Sequence, residues 1–155
     1  MSTNYTLSYI PQSTNNTCWA ASSGMLVGKN NDMEVVADMT AAYPGSNWTD
    51  GATPPELSQV ASLYGFTQVY PVCQGPAGWD SWLAENGPML IQVPGNSYHS
   101  IVVAGIECDD SDPQGELAQV HVLDPWNGDI WVSFADFNSR YELAGAGWEN
   151  NVYRR

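Results

Sequence analysis

The chain has 155 residues and a formal net charge of −13. That length suits a single domain, residues 1–155, burying roughly two-thirds of its unfolded surface. The charge sets aside nucleic acid and anionic membrane surfaces as partners, and no apolar run reaches the length of a bilayer span.

The acidity comes from scarce basic residues: Lys29 is the only lysine, and Arg140, Arg154 and Arg155 are the only arginines. This serves solubility, or it fits a protein that works where lysine is a liability, such as a host cytosol with ubiquitin ligases. Met1 to Ile10 is polar and has neither the basic nor the apolar region of a secretory signal. Localisation stays open, with release by a specialised system and action in a target cell among the possibilities.

Cys18 to Gly28 is rich in small residues (Ala20, Ala21, Ser22, Ser23, Gly24) followed by Met25, Leu26 and Val27. Small residues let a helix pack closely on more than one side, so this segment reads as a central helix with Gly28 as its C-cap. Asp32 reads as the N-cap of a second helix from Met33 to about Tyr43, which stops before Pro44. Thr53-Pro54-Pro55-Glu56 is a capping box with prolines in the first turn, opening a third helix that ends near Tyr64-Gly65. The period then changes. Phe66 to Val72 alternates as a strand does. Trp79 to Asn86 is a short helix closed by Gly87 and Pro88. Met89–Val93, Tyr98–Ile106, Gln119–Leu123 and Asp129–Val132 read as strands, and Ser133–Tyr141 as a short helix. Helices first and strands second give an α+β fold with an antiparallel sheet packed on a central helix.

Three cysteines leave at least one unpaired within the chain. Cys73 and Cys108 read as small apolar residues that could form one disulfide. Cys18 is different. It stands at a polar loop-to-helix junction after Asn15, Asn16 and Thr17, where its sulfur can be reached. A thiol attacks as the thiolate, and a helix N-terminus favours an anion. Gln12, six residues upstream, can aim an amide N–H at an oxyanion. His99 opens an apolar strand and can take the thiol proton and later return it to a leaving group. Asp124 ends a strand and can hold the far side of the imidazole, although an Asp before Pro also opens turns. Trp126 could shield that hydrogen bond from water. His121 alternates within its strand and reads as a sheet-face residue. No metal is expected, because the chain has neither CxxC nor HExxH nor a clustered ligand pair, and no cofactor is expected.

Gln12, Cys18-Trp19, His99 and Asp124-Pro125-Trp126 resemble the papain-like cysteine peptidase family, over the chain from Gln12 to about Trp131. The family carries a Gln six residues before a Cys-Trp that heads a central helix. Further along it has a His opening a strand, then an Asn or Asp followed two residues on by a Trp. Asn16-Thr17 replaces the family's Cys-Gly-Ser, so the disulfide of that upstream cysteine is absent. The spacing from Cys18 to His99 is short, so the chain is similar to the compact bacterial members. These include peptidases that process bacteriocin leaders and the avirulence-type proteases that pathogens inject into plant cells. The eleven residues before Gln12 are too few to cover a cleft as a propeptide. The resemblance implies that helices pack on an antiparallel sheet and that substrate lies in the cleft between them. It also implies catalysis by Cys18, His99 and Asp124 with Gln12 in the oxyanion hole. Trp19, Trp48, Trp79 and Trp126 are candidates to line the cleft, Trp19 and Trp126 first among them.

The expected activity is hydrolysis of a peptide bond through an acyl-thioester, on a protein or peptide substrate, by a monomer. The alternatives are a thiol amidase, deamidase or transglutaminase-type effector, and an inactive papain-fold binding module.

Overall fold

The computed structural model describes residues 2–70, 75–93, 98–112, 114–141 and 151–155. After a short strand β1 (Ser2–Asn4) come the helices α1 (Cys18–Val27), α2 (Asp32–Ala42) and α3 (Pro54–Tyr64). Then follow β2 (Thr67–Val69), α4 (Pro76–Asn86), β3 (Met89–Val93), β4 (His99–Glu107), β5 (Gln119–Asp124), β6 (Gly128–Ser133), α5 (Phe134–Arg140) and β7 (Asn151–Arg154). The α+β order expected from the sequence is found, with boundaries moved by a few residues.

The N-cap of α2 is Asn31, not Asp32: the Asn31 side chain accepts from the Glu34 N–H. Asp32 is the first residue inside the helix, and its carboxylate turns to other donors. The third helix starts as expected, with Glu56 Oε2 accepting from the N–H and the hydroxyl of Thr53. α4 begins three residues before Trp79, because Pro76 suits the first helical position.

The sheet runs β2-β7-β3-β4-β5-β6, with β1 alongside the far half of β4, and these pairings are antiparallel. β1 and β7 carry no alternating signal of their own and were not legible in the sequence. β7 nevertheless lies inside the sheet, between β2 and β3, with Val152 opposite Ile91.

The sheet is covered on both faces, which explains the continuous apolar runs in β3 and β4. Leu90, Val102, Ala104 and Leu123 point to one core, shared with α1, α2 and α3. Met89, Ile91, Ile101, Val103 and Val122 point to the other, under Trp79, Trp82 and Leu83 of α4 and Phe137 of α5. A register shift between Val103 and Gly105 changes the phase of β4, so that Ile106 joins the second core. α1 is the central helix, and every residue from Cys18 to Leu26 is buried. Its composition follows from that position: a Cβ on Gly24 would lie 3.1 Å from Ile10 Cδ1.

His121 is a sheet residue, as expected. Its ring stacks on Trp131 and lies 2.7 Å from both Asn4 Oδ1 and Asp129 Oδ1. Cys73, and with it any disulfide to Cys108, lies outside the described residues, as do the end of the expected strand at Val72 and the loop 94–97.

Candidate active site

Cys18 is the first residue of α1, and its sulfur reaches the surface at a cavity of about 480 Å³. One wall of the cavity comes from the helical side, with Asn16, Asp50, Gly51 and Glu56; the other is Tyr98 and His99 at the head of β4. A buried hydrogen bond from Ser22 Oγ to the Ser100 carbonyl, 3.0 Å, joins the two walls. Ser22 lies one turn beyond Cys18 and Ser100 next to His99, so this bond fixes Cys18 against His99. The thiol shares this cavity with the His99 ring and donates to the Tyr98 carbonyl at 3.7 Å.

His99 Nε2 is 2.9 Å from Asp124 Oδ1, which leaves Nδ1 as the nitrogen for Cys18. Asp124 ends β5 and is fully buried. Besides His99, its Oδ1 accepts from the N–H groups of Trp126 and Asn127. Its Oδ2 accepts from Asn127 Nδ2 at 2.8 Å and from the Tyr141 hydroxyl at 2.9 Å. These donors hold the carboxylate in one orientation and keep it ionised.

Burial opposes a charge on His99, but the hydrogen bonds and charges of Asp124 and Cys18 outweigh it and raise its pKa to about 9. Burial pushes the Asp124 carboxyl up; the hydrogen bonds from His99 and Asn127, with the imidazolium charge, hold it well below the usual carboxylate range. The arrangement can therefore carry an imidazolium between a carboxylate and a sulfur.

Gln12 lies beside this group. Its backbone N–H donates to the Pro125 carbonyl, 3.1 Å, tying the loop before Cys18 to the turn after Asp124. One N–H of its side-chain amide donates to the Thr14 carbonyl at 2.7 Å. Gln12, His99, Asn127 and Trp126 line a second groove on the far side of the imidazole.

The tryptophans divide sharply. Trp126 is 62% exposed and lines that groove. Trp19, expected to line the cleft, is only 1% exposed and packs against Trp48 with ring centroids 5.5 Å apart. It turns inward because α1 is buried all round. Trp48 and Trp79 are core residues as well. Tyr141, Asn127 and Tyr9, whose hydroxyl donates to the Asp124 carbonyl, were not identified from the sequence. Only the Asn after Asp-Pro-Trp offered a local signal, that of an Asp-opened turn. Among the described residues, no group of three or more His, Cys, Asp and Glu side chains could hold a metal ion, and no helix is long and apolar enough to cross a membrane.

The fold is similar to that of two solved peptidase structures. One is a double glycine motif protease from an AMS/PCAT transporter in complex with the leader peptide. It has a TM-score of 0.61 and 19% identity, over 98% of this chain and 94% of that one. The other is the peptidase domain of Streptococcus ComA, a bifunctional ABC transporter involved in a quorum-sensing pathway. It has a TM-score of 0.59 and 16% identity, over 97% of this chain and 98% of that one. No curated protein sequence matches the chain. Residues 1–142 match the family described as papain-like cysteine protease AvrRpt2. With that match covering the segments that carry Gln12, Cys18, His99 and Asp124, the chain belongs to this family of papain-like cysteine proteases and is a cysteine peptidase.

Proposed function

We propose that Cys18, His99 and Asp124 form the catalytic triad of this peptidase, with Gln12 and the Cys18 N–H as its oxyanion hole. The observation that carries this reading is that Cys18 and His99 line one cavity while His99 Nε2 meets the buried Asp124 carboxylate at 2.9 Å. The Cys18 sulfur adds to the carbonyl carbon of the scissile bond, and the oxygen takes the negative charge. Gln12 and the head of α1 donate to that oxygen. The C–N bond breaks as His99 gives its proton to the amine, leaving an acyl-thioester. His99 then takes a proton from water as the water oxygen adds to the acyl carbon; the C–S bond breaks, the acid leaves, and His99 returns the proton to the Cys18 sulfur. Asp124 holds the ring so that Nδ1 faces the sulfur throughout.

The substrate is a peptide lying across the cleft, with the residue after the scissile bond against Trp126. The neighbour bound to a leader peptide supports this, and the exposure of Trp126 beside His99 supports the placement. The unit is a monomer of one domain. Cys18→Ala and His99→Ala should each lower kcat/KM on a cleaved peptide by roughly a thousandfold or more. Mass spectrometry of the products tests the reaction class. Two fragments mean proteolysis; a gain of one dalton without cleavage means deamidation and overturns it. The single lysine supports a further role as an effector inside another cell, where ubiquitin is attached through lysine. Added surface lysines should then shorten its lifetime in a eukaryotic cytosol, read by pulse-chase.

A further inference from the structure

We infer that Asp32 is the positioning residue of the oxyanion-binding side of the site. It holds the segment between Gln12 and Cys18 so that the Gln12 amide and the N–H groups at the head of α1 stay open to a substrate oxygen. This rests on the reading of Cys18 as an acyl-forming nucleophile.

Asp32 belongs to α2, is 1% exposed, and touches neither Cys18 nor His99 by hydrogen bond. Its Oδ2 accepts from the Ser13 N–H at 2.7 Å, the Ser13 hydroxyl at 2.8 Å and the Thr17 hydroxyl at 2.6 Å. Ser13 directly follows Gln12 and Thr17 directly precedes Cys18, so one buried carboxylate clamps both ends of the connection. Charge-assisted bonds of this length are strong, and together they offset the desolvation of the carboxylate.

The second consequence lies at the helix end. A Thr at the N-cap ordinarily turns its oxygen to an N–H of the first turn. Thr17 is the N-cap of α1 and makes no such bond. Its hydroxyl proton goes to Asp32, and its oxygen accepts from the Thr14 N–H at 3.2 Å. The first-turn N–H groups, which have no partner within the helix, are therefore not taken by the cap. Thr14 in turn offers its carbonyl to Gln12 Nε2, setting the direction of the amide. Both oxyanion donors are thus governed from Asp32.

Two small reagents separate this role from a general one. With p-nitrophenyl acetate, the Cys18 sulfur adds to a carbonyl, an oxyanion forms, and p-nitrophenolate leaves as the S-acetyl group forms. With iodoacetamide, the sulfur displaces iodide from a saturated carbon and no oxyanion forms. In Asp32→Ala, acylation of Cys18 should slow by roughly tenfold or more, while alkylation stays within about twofold of wild type. Thermal unfolding reports whether the variant is folded. If it is not, Thr17→Val, which keeps the shape but drops the hydroxyl, should slow acylation alone, and Thr17→Ser should restore it. Equal losses in both reactions, or no loss in either, would overturn the role of Asp32. If His99→Ala leaves the alkylation of Cys18 unchanged, the nucleophile assignment itself falls, and the Asp32 inference with it.

Discussion

Asp124 stands in an environment made entirely of donors. His99, the N–H groups of Trp126 and Asn127, the Asn127 amide and the Tyr141 hydroxyl all give it hydrogen bonds. An amide in its place turns an NH₂ toward groups that also donate. Asp124→Asn should therefore cost about 1–3 kcal/mol of stability, by denaturant titration. It should also lower the His99 pKa from about 9, read from the imidazole resonances by NMR. A sign follows for pH. The His99 value is raised above its ordinary 6.5, so its contribution to stability is complete below 6.5 and is lost as pH rises through about 9. The Asp124 value is depressed below its ordinary 3.8, so its contribution is complete above that value and is lost as pH falls beneath it. The melting temperature of wild type should thus fall on both sides, and His99→Ala should flatten the alkaline limb. Cys18 and His99 stood out in the sequence because the chain has only three cysteines and two histidines, whereas Gln12 and Asp124 stood out only by their spacing from them. Tyr141 was not, because a lone tyrosine after a helix looks the same whether its hydroxyl meets water or a buried carboxylate.

At the scale of elements, legibility depended on whether a segment carries its own signal. The helices announced their ends through Gly28, Pro44, Thr53 and Gly65, because caps are local chemistry. β3, β4 and β5 were legible as apolar runs bounded by turns. β1 and β7 are strands only because partners exist. β1 depends on Gly105, where a Cβ would lie 2.5 Å from Asn4 Oδ1 and 2.7 Å from the Thr3 carbonyl oxygen. Backbone at that distance cannot yield without moving the strand. Gly105→Ala should destabilise the protein by about 1–3 kcal/mol, and hydrogen exchange should show faster amide exchange in β1.

For the whole molecule, the position of β7 is decisive. It lies beyond the residues matched to the family, 1–142, yet it enters the sheet one strand from its edge, between β2 and β3. Val152 is fully buried against the second core. Val152→Ala should cost about 2–3 kcal/mol, and removal of residues 151–155 should leave a chain that does not fold cooperatively, read by calorimetry.

By itself, the sequence determined the order of the main helices and strands, the papain-like peptidase class, and a strongly negative net charge. Each is set by residue type, local period or charge, which need no partner to be read. Only the tertiary structure decided that Trp19 faces the core while Trp126 faces solvent, that β7 enters the sheet, and that Asp32 grips the loop before Cys18 instead of capping α2. Those outcomes depend on which groups are left for one another once the chain is packed, and sequence spacing does not carry that information.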